Sequence, residues 1–567
     1  MDMPGDTFFG SNVSYWGANL TLAVLNGSVP TWRLDDMATR IMSAYFFVGQ
    51  DRDYPATNLH AWSTDTLGFA HQWSRQGYGV VDRQVDVRAD HWKVVREVGA
   101  KSVVLLKNTG GVLPLTGCER QIGVFGSDAQ DSPLGPNGYL DRGGLSGTLA
   151  MGWGSGTANF PYLVTPLEAI KARARSHGTV VQSVTDDYAY AVVNATASQA
   201  SVCLTFINAD SGEIYIQVDG NLGDRKNLTA WHDGSTLVRT VAANCNNTVV
   251  VIHAVGPVLV EDFVDHPNVT AVLFAGLPGQ ESGNSLVDVL YGDVNPSGRL
   301  PFTIAKTYAD YGIPLHNTTD VAVPQEPFTE GLLIDYRHFD RAAIAPRYEF
   351  GFGLSYTTFA YSDLHITMLR DPQHGYTPAV AAATGAYPAN TTDAASGDVD
   401  IADYLPPAGF DDWKIYGMIY PFLNASTKVE QGRYSAPPGA YDSRRQPVPA
   451  AGGAPGGNPK LYQDVYEVSV TVTNTGSRAG EEVVQLYLST GLEDDPVAVL
   501  RAFEKVAIAA GQSCTVKLRL TQRDLSRWDV VRQDWVVMPG RKGVLVGSSS
   551  RRMHLRGFLQ PVGDVYQ

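Results

Sequence analysis

Five apolar runs separated by helical patterns constrain this chain more than any other feature. They are QIGVFGSDA (Gln121 to Ala129), TVVQSV (Thr179 to Val184), SVCLTFINA (Ser201 to Ala209), TVVVIHAV (Thr248 to Val255) and VTAVLFAG (Val269 to Gly276). Each is β-branched and nearly continuous in apolar character, as a parallel strand covered on both faces has to be. Between them lie TPLEAIKARARS (Thr165 to Ser176) and LTAWHDGSTLVRTVAANC (Leu228 to Cys245), which carry helical spacing. Strands alternating with helices predict a three-layer α/β sandwich over about residues 90–353.

The flanks read differently. Residues 1–89 hold one convincing helix, RLDDMATRIMSAYFFV (Arg33 to Val48), and no strands that could make a domain of their own. Towards the carboxyl end, YEVSVTVTNTG (Tyr466 to Gly476), EEVVQLYLS (Glu481 to Ser489), SCTVKLRLT (Ser513 to Thr521) and KGVLVGSSS (Lys542 to Ser550) alternate apolar and polar residues between turns. They predict a small antiparallel β-sandwich. The stretch from about Asp371 to Pro459 is rich in Ala, Pro, Gly and Thr and reads as a long insertion or flexible linker.

Composition narrows the partners. A net charge of −15 over 567 residues, with no Lys/Arg-rich block, offers no footprint for a phosphate backbone and excludes nucleic acid. The longest apolar run, Thr248 to Val260, is broken by His253, Gly256 and Pro257 and falls short of the roughly 20 residues of a membrane helix. Four cysteines without CxxC spacing argue against structural zinc, and no metal or organic cofactor is expected. Asn12, Asn19, Asn26, Asn194, Asn227, Asn246, Asn268, Asn317, Asn390 and Asn424 all begin N-x-[ST] acceptors, a density that favours a secreted protein. Residues 1–30 nevertheless lack a basic start followed by an apolar core, so no signal peptide is visible.

Ligands of open α/β sheets bind beyond the carboxyl ends of the strands. SVCLTFINA runs straight into Asp210-Ser211-Gly212-Glu213-Ile214-Tyr215, followed by the polar loop QVDGNLGDRKN. Glu213 is therefore either a carboxylate held over a cleft or an ordinary solvated loop acid. A second candidate is MGWGSGTANF (Met151 to Phe160). No GKS or GKT follows it, as a phosphate cradle would need, and it carries Trp153 and Phe160 instead. Aromatic faces beside small hydroxyl residues suit a carbohydrate; the alternative is a tight turn burying Trp153. The twelve histidines are dispersed and read as structural or surface residues.

Longer motifs sharpen this. INADSGEIYI (Ile207 to Ile216), MGWGSGTANFPYLVTPLEAI, AGLPGQESGNSLVDVLYGDVNPSGRLPFT (Ala275 to Thr303) and PRYEFGFGLSYTTF (Pro346 to Phe359) closely resemble fungal-type β-glucosidases of glycoside hydrolase family 3. The resemblance covers the chain apart from the Ala/Pro/Gly-rich insertion. It implies a TIM-barrel-like domain, an α/β sandwich and a fibronectin type III-like domain, here as 1–89 (the carboxyl-terminal remnant of the barrel plus linker), 90–353 and 354–567 with the insertion at about 371–459. It implies that Glu213 is the catalytic acid/base, that Tyr215 and Ser155 line the sugar site, and that Phe8 stands beside the aglycone entrance.

A retaining glycosidase uses two carboxylates about 5 to 5.5 Å apart, one the nucleophile and one the acid/base. In the family the nucleophile is the Asp of a Ser-Asp-Trp tripeptide some twenty residues before the MPGD motif. No Ser-Asp-Trp occurs in these 567 residues, which begin at MDMPGD. The expectation is an amino-terminally truncated, secreted β-glucosidase whose Met1 is an internal methionine and whose isolated chain is inactive. Its substrates would be cellobiose, short β-glucans or glucosides. A non-catalytic glycan-binding remnant, or a family-3 β-xylosidase or exo-glucanase, are the alternatives. Apolar surface left by a missing barrel is expected to promote self-association, a homodimer included.

Overall fold

The computed structural model describes Leu20, Val29 and residues 31–372 and 459–559, apart from residues 55–58, 60–64, 70–76, 139–145, 153–157, 213–216, 314–326, 530 and 532–533. The chain divides into two compact units, Met1–Val87 with Thr377–Gly457 and Arg88–Tyr376 with Asn458–Gln567. In the first, the described residues form helix α1 (Thr31–Phe47), where the sequence predicts one, and a short hairpin of β1 (Leu67–Phe69) and β2 (Tyr78–Val80). Along α1, Asp36 takes ion pairs from Arg33 and Arg40, one turn away on either side.

The second unit opens with α2 (His91–Ser102), β3 (Val104–Asn108), β4 (Gln121–Phe125), α3 (Pro166–His177), β5 (Val180–Val184), α4 (Tyr190–Ala197) and β6 (Val202–Ala209). A small hairpin, β7 (Gln217–Val218) and β8 (Asn221–Leu222), follows, then α5 (Gly234–Asn244), β9 (Thr248–Ala254), β10 (Val269–Phe274), α6 (Ser282–Leu290) and α7 (Tyr336–Arg341). Six strands make one sheet in the order β3-β10-β9-β6-β4-β5, parallel throughout except for the antiparallel edge strand β3.

Period-two alternation within strands buried on both faces builds the three layers. Leu105, Leu204, Phe206, Val249 and Val251 enter a core shared with Ala100 of α2, Ile170 of α3 and Leu286 of α6. Their neighbours Val104, Leu106, Ile207, Val250 and Ile252 enter the opposite core with Val238 and Ala242 of α5. Local signals set the helix ends. Thr165 caps α3 by accepting the Glu168 N–H, Pro166 opens it, and left-handed Gly178 closes it. The helical pattern from Leu228 forms only from Gly234 onward, because His232 and Asp233 sit at φ +56° and +49° and Trp231 N–H bonds Asn208 O instead.

The remaining strands are β11 (Phe359–Met368), β12 (Asp464–Asn474), β13 (Gly480–Ser489), β14 (Val499–Ile508), β15 (Ser513–Thr521), β16 (Ser526–Asp529), β17 (Asp534–Val537), β18 (Gly543–Gly547) and β19 (Met553–Phe558). A three-stranded sheet, β11-β12-β15, faces a four-stranded one, β14-β13-β18-β19. Val468, Val470 and Val472 of β12 meet Val484, Leu486 and Leu488 of β13 in the core between them. The sandwich is tied to the α/β domain by a buried cluster in which Arg299 donates to Glu482 Oε2 at 2.8 Å and Tyr361 donates to Oε1 at 2.8 Å. Gln485 Nε2 adds a bond to Gly351 O at 3.0 Å.

Candidate active site at the strand-order switch

Chain order carries β4 to β5 on one side and then β6 to the other side of β4, so the strand order reverses between β4 and β6. In an open α/β sheet the crevice beyond the carboxyl ends at such a reversal is the ligand site. Here β4 ends in Gly126-Ser127-Asp128 and β6 in Ala209-Asp210-Ser211-Gly212, immediately before Glu213. The two strands approach closely: a Cβ on Gly126, at φ +105°, would lie 2.2 Å from Phe206 O.

Asp128 is the hub of this end of the sheet. It is 1% exposed, and its Oδ1 accepts the Leu149 N–H at 2.8 Å and Asn208 Nδ2 at 3.2 Å, while Oδ2 faces His253 Nδ1 at 2.7 Å. The three partners come from the stem of the Gly-rich segment, the end of β6 and the end of β9. One carboxylate thus ties the bases of both predicted site loops. Beside it, Ser127 N–H donates to Asp187, and burial raises the pKa of that carboxyl.

The stems of both loops are held by further side chains. Before residues 153–157, Ala150 O accepts the Gly279 N–H; after them, Asn137 exchanges two 2.8 Å bonds with the backbone of Phe160, and Tyr162 donates to buried Glu281. Burial, and next the bond to Glu281, raise the Tyr162 pKa. Asn284 donates to the other Glu281 oxygen at 2.6 Å. Before residues 213–216, Asp210 Oδ1 accepts the Ser211 N–H at 2.8 Å. Ser211 Oγ in turn donates to Asp224 at 3.0 Å and accepts the Arg225 N–H at 3.2 Å, which closes the loop on itself. Arg225 reaches Pro257 O at 3.0 Å, and desolvation lowers its pKa.

Glu213, Tyr215, Ser155 and Phe8 all lie outside the described residues, as do Asn12, Asn19, Asn26, Asn317, Asn390 and Asn424. Of the remaining glycan acceptors, Asn194, Asn227 and Asn246 are exposed, whereas the Asn268 amide is committed to Ala242 O at 2.8 Å. Sequence reasoning missed Asp128, Asn208 and Glu281, and placed His253 among dispersed histidines. A signal was present for His253, an imidazole inside the otherwise apolar TVVVIHAV, and for Asp128, an acid directly after a buried strand. Among the described residues no group of three or more His, Cys, Asp or Glu is placed to hold a metal ion. No described helix is long and apolar enough to cross a membrane.

Residues 103–356 match the model of the glycosyl hydrolase family 3 C-terminal domain, and residues 482–550 that of the fibronectin type III-like domain. A solved Chaetomium thermophilum β-glucosidase is 47% identical, with a TM-score of 0.83 over 99% of this chain and 68% of its own. The chain belongs to glycoside hydrolase family 3. A family-3 β-glucosidase structure from Neurospora crassa is similar to the same degree, 46% identical with a TM-score of 0.83, covering 99% of this chain and 67% of that one. Among curated relatives, the probable β-glucosidase A of Aspergillus fumigatus is 51% identical over 99% of this chain. The family-3 chain spans 65% of that relative's length. The β-glucosidase 1 of Aspergillus aculeatus is 50% identical over 99% of this chain and 66% of its own.

Proposed function

We propose that this chain carries the acid/base half of a retaining β-glucosidase site, with Glu213 as the acid/base. The observation that carries the reading is that β6, adjoining the strand-order reversal, ends at Ala209 and leads through a pinned stem into the Glu213 loop. The half-identical relatives are named as β-glucosidases, which supports the activity class; in this reading the substrates are terminal β-glucosides such as cellobiose. Glu213 protonates the leaving oxygen while a carboxylate nucleophile attacks the anomeric carbon; Glu213 then deprotonates the water that releases glucose. Ser155 and Tyr215 contact the sugar, and Phe8 the aglycone. The partner carboxylate is not present in Ser-Asp-Trp form among these residues, so the chain by itself turns over aryl β-glucosides at background rate. The domains of this reading are 1–89, 90–353 and 354–567.

Secretion belongs to the same reading. The Cys203–Cys245 disulfide and the exposed Asn194, Asn227 and Asn246 acceptors suit an oxidising, glycosylating compartment. The decisive experiment complements the chain with a Ser-Asp-Trp-bearing family-3 barrel and compares Glu213 with Glu213→Gln. The variant should lose activity on cellobiose by orders of magnitude while keeping partial turnover of activated aryl glucosides, and azide should rescue it with formation of a β-glucosyl azide. Undiminished cellobiose hydrolysis by Glu213→Gln would remove Glu213 from the mechanism.

A further inference from the structure

Far along the chain from the strand-order switch, the β-sandwich side of the second unit holds a cavity of about 600 Å³, a volume typical of small-molecule sites. It lies beside the first residues of β14 and the β16–β17 hairpin. Trp528 and Trp535, paired across that hairpin, line it with ring centroids 5.9 Å apart at 72°, and Trp528 is 37% exposed. Arg501, Arg523 and Arg527 also line it. Arg523 stands 4.9 Å from the Trp535 ring centroid. None of these three guanidinium groups makes an ion pair among the described residues, and Arg501 Nε is buried with no hydrogen-bond partner. Four carboxylates share the lining, Asp494, Asp495, Asp524 and Asp529, and Asp524 takes the Thr521 N–H and Oγ–H on Oδ2 at 2.8 and 2.7 Å.

Each class of ligand would use a different part of this lining. A bare inorganic anion would meet the guanidinium groups and ignore the indoles. A neutral sugar would stack on the indoles and offer Arg501 a hydroxyl oxygen, but it would leave the guanidinium charge without a counter-charge in a desolvated position. An aromatic acid would bring no donors to the carboxylates. A sugar ring bearing a carboxylate uses all three: its CH face packs on an indole, its hydroxyls donate to carboxylate oxygens, and its carboxylate accepts from a guanidinium fork. We propose that this cavity is a binding site for a uronate-bearing saccharide, with the carboxylate on Arg501 and the sugar ring against Trp528 and Trp535. Burial lowers the Arg501 pKa, the direction an incoming anion would oppose.

The site shares no residue with the Glu213 loop or its stems, so its failure and the failure of the glucosidase reading are separate results. Isothermal titration of the full chain with trigalacturonic acid should give one saturable site, with cellotriose and inorganic phosphate each at least about tenfold weaker. Arg501→Gln and Trp535→Ala should each weaken trigalacturonate by about tenfold or more at unchanged melting temperature. Trp535→Phe, which keeps a ring, should retain most of the affinity and serves if the alanine variant does not fold. No saturable trigalacturonate binding, equal affinity for cellotriose, equal affinity for phosphate, or indifference to Arg501→Gln would each overturn the proposal.

Discussion

Replacing Asp128 by alanine tests the claim that one carboxylate holds the switch-point loops together. The substitution strips the acceptor from Leu149 N–H, Asn208 Nδ2 and His253 Nδ1, at 2.8, 3.2 and 2.7 Å. All three residues are buried, at 4%, 5% and 0% exposure. A buried donor left unmet costs about 1–3 kcal/mol, and the 3.2 Å contact counts least. Water entering the vacated space and the relief of desolvating Asp128 itself offset part of this. The net expectation is about 3 kcal/mol for Asp128→Ala and about 1 kcal/mol for Asp128→Asn, which keeps Oδ1 for Leu149 and Asn208. Urea unfolding supplies the global figure, and hydrogen exchange at the Leu149 amide supplies the local one, since that amide loses its acceptor. A double-mutant cycle with His253→Phe should show a coupling above about 0.5 kcal/mol. An alanine variant within about 0.5 kcal/mol of the parent, with Leu149 exchange unchanged, would refute the hub.

Other perturbations bear on different parts of the molecule. Removing the Cys203–Cys245 bond by a double alanine substitution should cost about 4 kcal/mol on the loop-entropy relation for a sequence separation of 42, read as a lower urea midpoint. Glu482→Ala leaves Arg299 buried without its partner and should cost about 3–5 kcal/mol, whereas the Arg299→Met/Glu482→Leu pair should recover most of it; an alanine variant as stable as the parent would show the cluster to be idle. Burial raises the folded pKa of Asp187, so the native state holds a proton that the unfolded chain releases, and this contribution is greatest below the unfolded pKa and lost as pH rises through the folded one. Asp187→Asn should therefore look more favourable relative to the parent at pH 7 than at about pH 4, and the opposite trend in unfolding free energy would sink the assignment.

The α/β layer is legible because its strands are buried on both faces and so cannot carry polar residues freely; β4, β5, β6, β9 and β10 all fall inside the five apolar runs. The edge strand β3 escaped notice because five residues directly behind a helix carry no period of their own, and its partner β10 lies more than 160 residues on. Helix α5 was overextended by reading the apolar spacing past Asp233-Gly234, a turn signal that the left-handed residues there make real. In the β-sandwich, β14 and β19 went unread, since their half-exposed faces mix charged and apolar side chains. The site divides likewise. The end of β6, four residues before Glu213, follows from local order, but Asp128 and His253 are separated by 125 residues and Tyr162 and Glu281 by 119, and no local pattern encodes such pairs.

The outer side of β3 carries one more backbone contact. Leu354, in the segment leading from the α/β domain to the first strand of the sandwich, forms an isolated bridge with Leu105, its N–H meeting Leu105 O at 2.8 Å. The connecting segment thereby acts as a sheath over an edge that would otherwise present open donors and acceptors to other chains. Cutting the protein just before Leu354 would unsheathe that edge and invite intermolecular strand pairing, whereas a cut beyond β11 would leave it covered. The seam between the two folds is thus also the α/β sheet's guard against its own kind.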